Sequence, residues 1–196
     1  MAYQAFDLTG KTAIVTGGNS GIGLGMAEAM AQAGAAVCIW GTNEDKNVHA
    51  LARLHATGAK ALALRCDVAD EAAVDRAFAE TVGALGGVDA CFVNAGVSGR
   101  GPAPSFAEMT TEEWHRVLRV NLDGAFFTLR TAARHMIARG EGGSLAVTAC
   151  LAALRGSPLG GHYPASKGAM LSVMRALSVG LARHKIRVNA IVPGWI

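Results

Sequence analysis

The sequence predicts an α/β fold, a doubly wound parallel sheet with helices on both faces, and two observations carry that prediction. Short apolar or β-branched runs alternate with longer alanine-rich helical patterns along the chain, the signature of repeated strand-helix-strand units. A glycine-rich turn stands directly between the first strand-like run and the first helical pattern, where a parallel sheet receives anionic ligands.

The 196 residues are enough to bury one core without disulfides or metal. No internal repeat, low-complexity tract or Pro/Ser-rich linker divides them, so residues 1–196 are read as a single doubly wound domain. The 18 basic and 15 acidic residues are scattered, with no Lys/Arg stripe, which discounts nucleic acid and membrane surfaces as partners. Residues Met1 to Asp7 lack a basic start followed by an apolar stretch, and no run reaches the about 18 apolar residues of a membrane span. A cytoplasmic protein is expected. Four widely spaced cysteines, Cys38, Cys66, Cys91 and Cys150, have no C-x-x-C or histidine partners at metal-ligand offsets, so no metal is expected, and the first three read as small buried hydrophobes.

Strands are expected near Thr12–Thr16, Ala36–Trp40, Ala61–Arg65, Ala90–Val93, Ser144–Thr148 and Arg187–Val192, and helices at about Gly21–Ala33, Glu44–Thr57, Glu71–Leu85, Thr111–Ala138 and Tyr163–His184. After the first strand comes Thr16-Gly17-Gly18-Asn19-Ser20-Gly21-Ile22-Gly23. Residues without a Cβ let the backbone turn tightly and approach a pyrophosphate, while the helix N-terminus offers free N–H groups to the anion. The spacing Gly17-x-x-x-Gly21-x-Gly23 departs from G-x-G-x-x-G, and a turn needed only for packing would look similar. After the second strand, Trp40-Gly41-Thr42-Asn43 is the expected resting place of an adenosine ribose. A carboxylate there would favour NAD and an arginine NADP; Gly41 and Thr42 are neither, so weak discrimination is expected. Asp67-Val68 and Asn94-Ala95-Gly96 follow the third and fourth strands, at the carboxyl ends where ligands bind. Asp67 is placed to accept from an adenine amino group, and Asn94 with its glycine lets the backbone run under a cofactor. Each alone is more often a turn.

Two further features carry chemistry. Asn121 sits inside a helical pattern flanked by Val117, Leu118, Val120, Leu122, Phe126 and Phe127, where a buried carboxamide needs partners. Tyr163 and Lys167 are four residues apart, on one face of a helix. A free tyrosine, with a pKa of about 10, is a poor proton carrier near neutrality, and an adjacent ammonium favours its phenolate. Taken alone, Y-x-x-x-K is more often a half-buried tyrosine beside a solvated lysine.

In this order and spacing, the Thr16-to-Gly23 loop, Asp67, Asn94-Ala95-Gly96, Asn121, Tyr163-x-x-x-Lys167 and Pro193-Gly194 resemble the classical short-chain dehydrogenase/reductase family from about Leu8 to Ile196. The resemblance implies a Rossmann-type sheet, NAD or NADP, and hydride transfer between nicotinamide C4 and a ketone or secondary alcohol, 3-oxoacyl and sugar-derived compounds among them. By resemblance Tyr163 is the general acid/base, Lys167 holds the nicotinamide ribose and lowers the tyrosine pKa, and Asn121 holds a water of the proton relay. The nucleotide would meet Gly17, Asn19, Ser20, Gly21, Ile22, Gly23, Gly41, Thr42, Asn43, Asp67, Val68, Asn94, Ala95, Gly96, Tyr163, Lys167, Pro193, Gly194 and Ile196. A homotetramer or homodimer is implied in the same way.

Two departures stand out. The family's serine, thirteen positions before its tyrosine, is Cys150 here. A thiol at that position keeps open a second reading, a nucleotide-sensing or regulatory protein with attenuated catalysis. Ser144 lies at the wrong end of the strand, and Thr148 one layer too deep. The sequence also ends at Ile196, just after Pro193-Gly194, where family members continue through a substrate-covering loop, a helix and an edge strand; a missing C-terminal helix and strand are therefore expected.

Overall fold

A computed structural model of the chain describes residues 6–99, 105–155 and 160–194. Its elements run β1 (Thr12–Thr16), α1 (Gly21–Gln32), β2 (Ala36–Gly41), α2 (Glu44–His55), β3 (Ala61–Arg65), α3 (Glu71–Leu85), β4 (Ala90–Val93), α4 (Thr111–Leu118), α5 (Gly124–Arg139), β5 (Gly143–Thr148), α6 (His162–Gly180) and β6 (Ile186–Ile191). All strand pairs are parallel, in the order β3-β2-β1-β4-β5-β6. The chain leaves β1 in one direction and returns to its other side at β4. A crevice therefore opens between these two strands at their carboxyl ends.

Alternation within each strand divides the core in two. Ala13, Val15, Val37 and Ile39 face α1 and α2, packing on Leu24, Ala27, Ala50 and Leu54. Ile14, Cys38, Trp40, Cys91, Val93, Leu145 and Val147 face the opposite layer, with Phe78, Leu129, Met136 and Met170. Cys38, Cys66 and Cys91 lie in this second core, and burial pushes their thiols up to about 11, 12 and 12. They are inert packing groups, as expected.

The expected long fourth helix is continuous from Thr111 to Arg139, but it is not regular throughout. A single π-turn, Arg119–Asp123, separates α4 from α5. One extra residue in the turn re-aims every side chain after it, so an apolar pattern continuous across the π-turn does not disclose it. Gly124 starts α5 where a Cβ would stand 2.9 Å from the Val68 carbonyl oxygen. The last helix is also shorter than its pattern, giving way to a 3₁₀ turn at Ala182–His184 before Lys185 takes a left-handed φ of 57°.

The amino ends of the strands are closed by a polar cluster. The Val88 N–H donates to His135 Nε2 at 3.2 Å, Arg139 donates to the Val88 carbonyl at 3.0 Å, and Asp89 pairs with Arg139 at 3.3 Å and with Lys11 at 3.7 Å. Because Nε2 is an acceptor, His135 must be neutral for this bond to exist. Burial and then the Arg139 charge lower its pKa below the ordinary 6.5, with Asp89 opposing. Below about 6.5 the unfolded chain thus takes up the proton more readily than the folded one, and folding stability falls as pH drops toward the folded value. Above it the contribution is complete. We expect urea unfolding to show this acid-side loss in the wild type and a reduced slope below pH 6.5 in His135→Gln, which keeps an acceptor without titrating. Equal slopes would mean that His135 does not report the transition.

Candidate active site

At the carboxyl ends of the strands the first turn is held by its neighbours across the crevice. Thr16 Oγ1 accepts from the N–H groups of both Asn94 and Ala95 at 3.0 Å, and Asn94 Nδ2 donates to the carbonyls of Thr16 and Gly17 at 3.2 and 3.3 Å. Gly17 has a φ of +62°, and a Cβ on it would lie 2.9 Å from Ala95 Cα. Gly23, inside the first turn of α1, sits so close that its Cβ would enter the Gly17 carbonyl. These glycines are required by close approach as well as by turn shape. Ser20 caps α1 by position only, making no side-chain cap bond, and the first turn carries no acidic residue. The free N–H groups and the positive end of the helix dipole are thus open to an anion. An uncovered helix start, a Cβ-free cradle and a cavity of about 430 Å³ fit a dinucleotide.

Two cavities lie side by side along the crevice. The first, of about 430 Å³, receives Gly17, Asn19, Ser20, Gly41, Thr42, Asp67, Val68, Asn94, Ala95 and Gly96. The second, of about 650 Å³, receives Gly21, Ile22, Cys150, Tyr163, Lys167, Pro193 and Gly194, and shares Asn94, Gly96 and Val97 with the first. Most residues singled out in the sequence are therefore brought together. Gly23 acts from beneath the turn. Asn43 is the N-cap of α2, its side chain accepting from the Lys46 N–H at 2.9 Å, and it is not among the residues lining either cavity. Trp40 contributes backbone, while its indole is fully buried and donates to Thr81 at 3.3 Å. Ile196 falls outside the described residues.

Asn121 occupies the middle of the π-turn, 1% exposed. Its Oδ1 accepts from the Val97 N–H at 2.7 Å, and its Nδ2 donates to the Val97 carbonyl at 2.9 Å and to Ser166 Oγ at 3.0 Å. Ser166 passes the chain of bonds to the Tyr163 carbonyl at 2.7 Å. Both amide hydrogens are thereby committed to protein. The carboxamide is a strut joining the segment after β4 to the start of α6.

Lys167 is 5% exposed, and its Nζ donates to the Thr148 carbonyl at 2.7 Å. Thr148 thus acts through its main chain, a role that side-chain reasoning passes over. Burial lowers the Lys167 pKa. Lys167 Nζ stands 5.8 Å from the Tyr163 ring centroid. The depression of the phenol expected from Lys167 is not present. Burial, then the hydrogen bond and charge of Cys150, push Tyr163 up to about 12. An ammonium at that distance and turned to a carbonyl does not offset them. At neutral pH Tyr163 holds its proton, with the Cys150 thiol bonded to it.

Glycine cradle, crevice and the Cys150-Tyr163-Lys167 group together define a dinucleotide-dependent α/β enzyme. The family model described as short chain dehydrogenase matches residues 11–196, and the chain belongs to that family and is an NAD(P)-dependent oxidoreductase. It is 38% identical over 190 residues to the 2,5-dichloro-2,5-cyclohexadiene-1,4-diol dehydrogenase of Sphingobium indicum, covering 97% of this chain and 74% of that one. It is 36% identical over 200 residues to the 2-dehydro-3-deoxy-D-gluconate 5-dehydrogenase of Escherichia coli, covering 100% and 76%. Among solved structures, NAD+-bound xylitol dehydrogenase superposes with a TM-score of 0.92 at 34% identity, over 96% of this chain and 71% of that one. A short-chain type dehydrogenase/reductase from Mycobacterium marinum gives 0.93 at 36%, over 97% and 76%. Among the described residues no helix is long and apolar enough to cross a membrane.

Removing the Asn121 carboxamide would leave the half-buried Val97 N–H and carbonyl without their partner. Asn121→Ala is expected to cost about 2–3 kcal/mol in urea unfolding. An unchanged midpoint would show that the strut carries no stability.

Proposed function

We propose that the chain interconverts a ketone and a secondary alcohol of a small cyclic or sugar-derived substrate, using NAD or NADP. The observation that carries this reading is the meeting of Cys150, Tyr163 and Lys167 in one cavity whose wall, Asn94 and Gly96, is shared with the cavity beside the glycine turn. The names of the relatives, a cyclic diol dehydrogenase and a sugar-acid dehydrogenase, support the cyclic and sugar-derived classes over a 3-oxoacyl chain.

When bound, the reduced nicotinamide supplies the hydride. The open start of α1, with Gly17, Ser20 and Ile22, would hold its phosphates, and Asp67, Val68 and Asn94 its adenosine side. Lys167 has three N–H donors and uses one on Thr148, which leaves two for ribose hydroxyls. Tyr163 gives its proton to the substrate oxygen in reduction and takes it back in oxidation. Its raised pKa keeps it protonated at neutral pH but makes it a weaker acid than a free phenol, so proton transfer calls for positive charge beside the ring. Cys150 meets the same oxygen with a thiol, a weaker donor than a hydroxyl. It stabilises developing negative charge less well than the family's serine, whereas complete loss of such a donor costs about 3 kcal/mol.

Steady-state kinetics with cyclic ketones and ketoses test these roles. Tyr163→Phe should lower turnover below about a tenth of wild type while nucleotide affinity stays, because the change removes a proton and little contact area. Retention of activity would place the proton donor elsewhere. Cys150→Ser should raise kcat about tenfold with nucleotide affinity unchanged, since it restores the stronger donor. A lower kcat would show instead that the thiol is functional in its own right.

A further inference from the structure

Where the turn after β2 meets the first cavity, the floor is made of carboxamides. Asn19 Nδ2 donates to Asn47 Oδ1 at 2.7 Å, and Asn47 Nδ2 donates to the Gly41 carbonyl at 3.0 Å. A Cβ at Gly41 would stand 2.6 Å from Asn47 Oδ1 and closer still to the Asn19 amide, so this floor leaves no room for an acidic side chain at position 41. The nearest lining carboxylate, Asp67, has one oxygen bound to the Ala69 N–H at 3.0 Å.

The missing side chain has a neighbour across the sheet. Gly41 and Arg65 are register partners, the last residues of β2 and β3. Partners in parallel strands lie about 4.8 Å apart and present their side chains to the same face. Arg65 therefore stands on the α2 face beside the gap that Gly41 leaves, with Cys66, the next residue, already lining the cavity. Its guanidinium is loosely held. The contact with Glu44 is 3.6 Å long, and the two side chains are 72% and 71% exposed, the kind of solvated pair that contributes little.

We propose that Arg65 is a specificity residue that pairs with a phosphate on the 2′ oxygen of the adenosine ribose, and that the protein consequently prefers NADP. The inference rests on the dinucleotide reading above and names the base that the turn after β2 lacks. A phosphate accepts two parallel N–H bonds from one guanidinium, a better partner than a solvated carboxylate at 3.6 Å. Glu44 is the competitor: it holds Arg65 when no phosphate is present and repels the phosphate when one is.

Calorimetric titration with 2′,5′-ADP and with 5′-AMP tests this without turnover. Wild type should bind 2′,5′-ADP about tenfold or more tighter than 5′-AMP. Arg65→Gln should bring that ratio near one, and Glu44→Gln should increase it, with 5′-AMP affinity unchanged in both. An equal affinity of the wild type for the two nucleotides, or a ratio that Arg65→Gln leaves intact, overturns the assignment of Arg65. If neither nucleotide binds wild type, the dinucleotide reading itself falls, and the inference with it.

Discussion

The active end of this protein depends on one buried carboxamide. The Asn121 side chain makes three hydrogen bonds, two to the main chain at Val97 and one to Ser166. They fix the distance between the carboxyl end of β4, which leads into Asn94 and Gly96, and the first two turns of α6, which carry Tyr163 and Lys167. A regular helix through residues 111–139 would turn this side chain elsewhere. The π-turn at Arg119–Asp123 gives up regular helical bonding to aim it inward, and such turns recur at functional sites.

The electrostatics of the site follow from its depth. Lys167 is buried enough that its charge is disfavoured, and the Thr148 carbonyl is the group that keeps it placed. Tyr163, half-buried beside a thiol, holds its proton more firmly than a free phenol. At neutral pH the phenol is therefore protonated. Proton transfer requires a ligand that brings positive charge beside the ring or draws Lys167 closer, since either would favour the phenolate.

Much of this was legible in the sequence because it is local. Strand and helix positions came from periodicity, the first turn from its place between a strand and a helix, and the Tyr163–Lys167 pair from helical spacing. Features set by contacts between distant segments were not legible. Asn43 has the composition of a ligand-binding turn residue, yet its oxygen caps α2. The side chain of Trp40 turns into the core, while its neighbour Gly41 faces the other layer. Arg65 gains its interest only from lying beside Gly41 in the sheet, which no spacing along the chain reveals. The Tyr163 pKa was expected to fall because a lysine lies four residues on; its rise reflects burial, which sequence spacing does not measure.

The central claim is that Tyr163 and the shared cavity wall bring a carbonyl carbon and nicotinamide C4 into reach of one another. The most direct measurement follows the hydrogen itself. Purified protein is incubated with reduced dinucleotide deuterated at C4, in both phosphorylated and unphosphorylated forms, and with a panel of cyclic ketones and ketoses, and the alcohols are analysed by mass spectrometry. The account predicts deuterium on the former carbonyl carbon of at least one cyclic or sugar-derived product. Tight nucleotide binding with no deuterium in any product would contradict it and leave the fold as a nucleotide-binding module without the transfer.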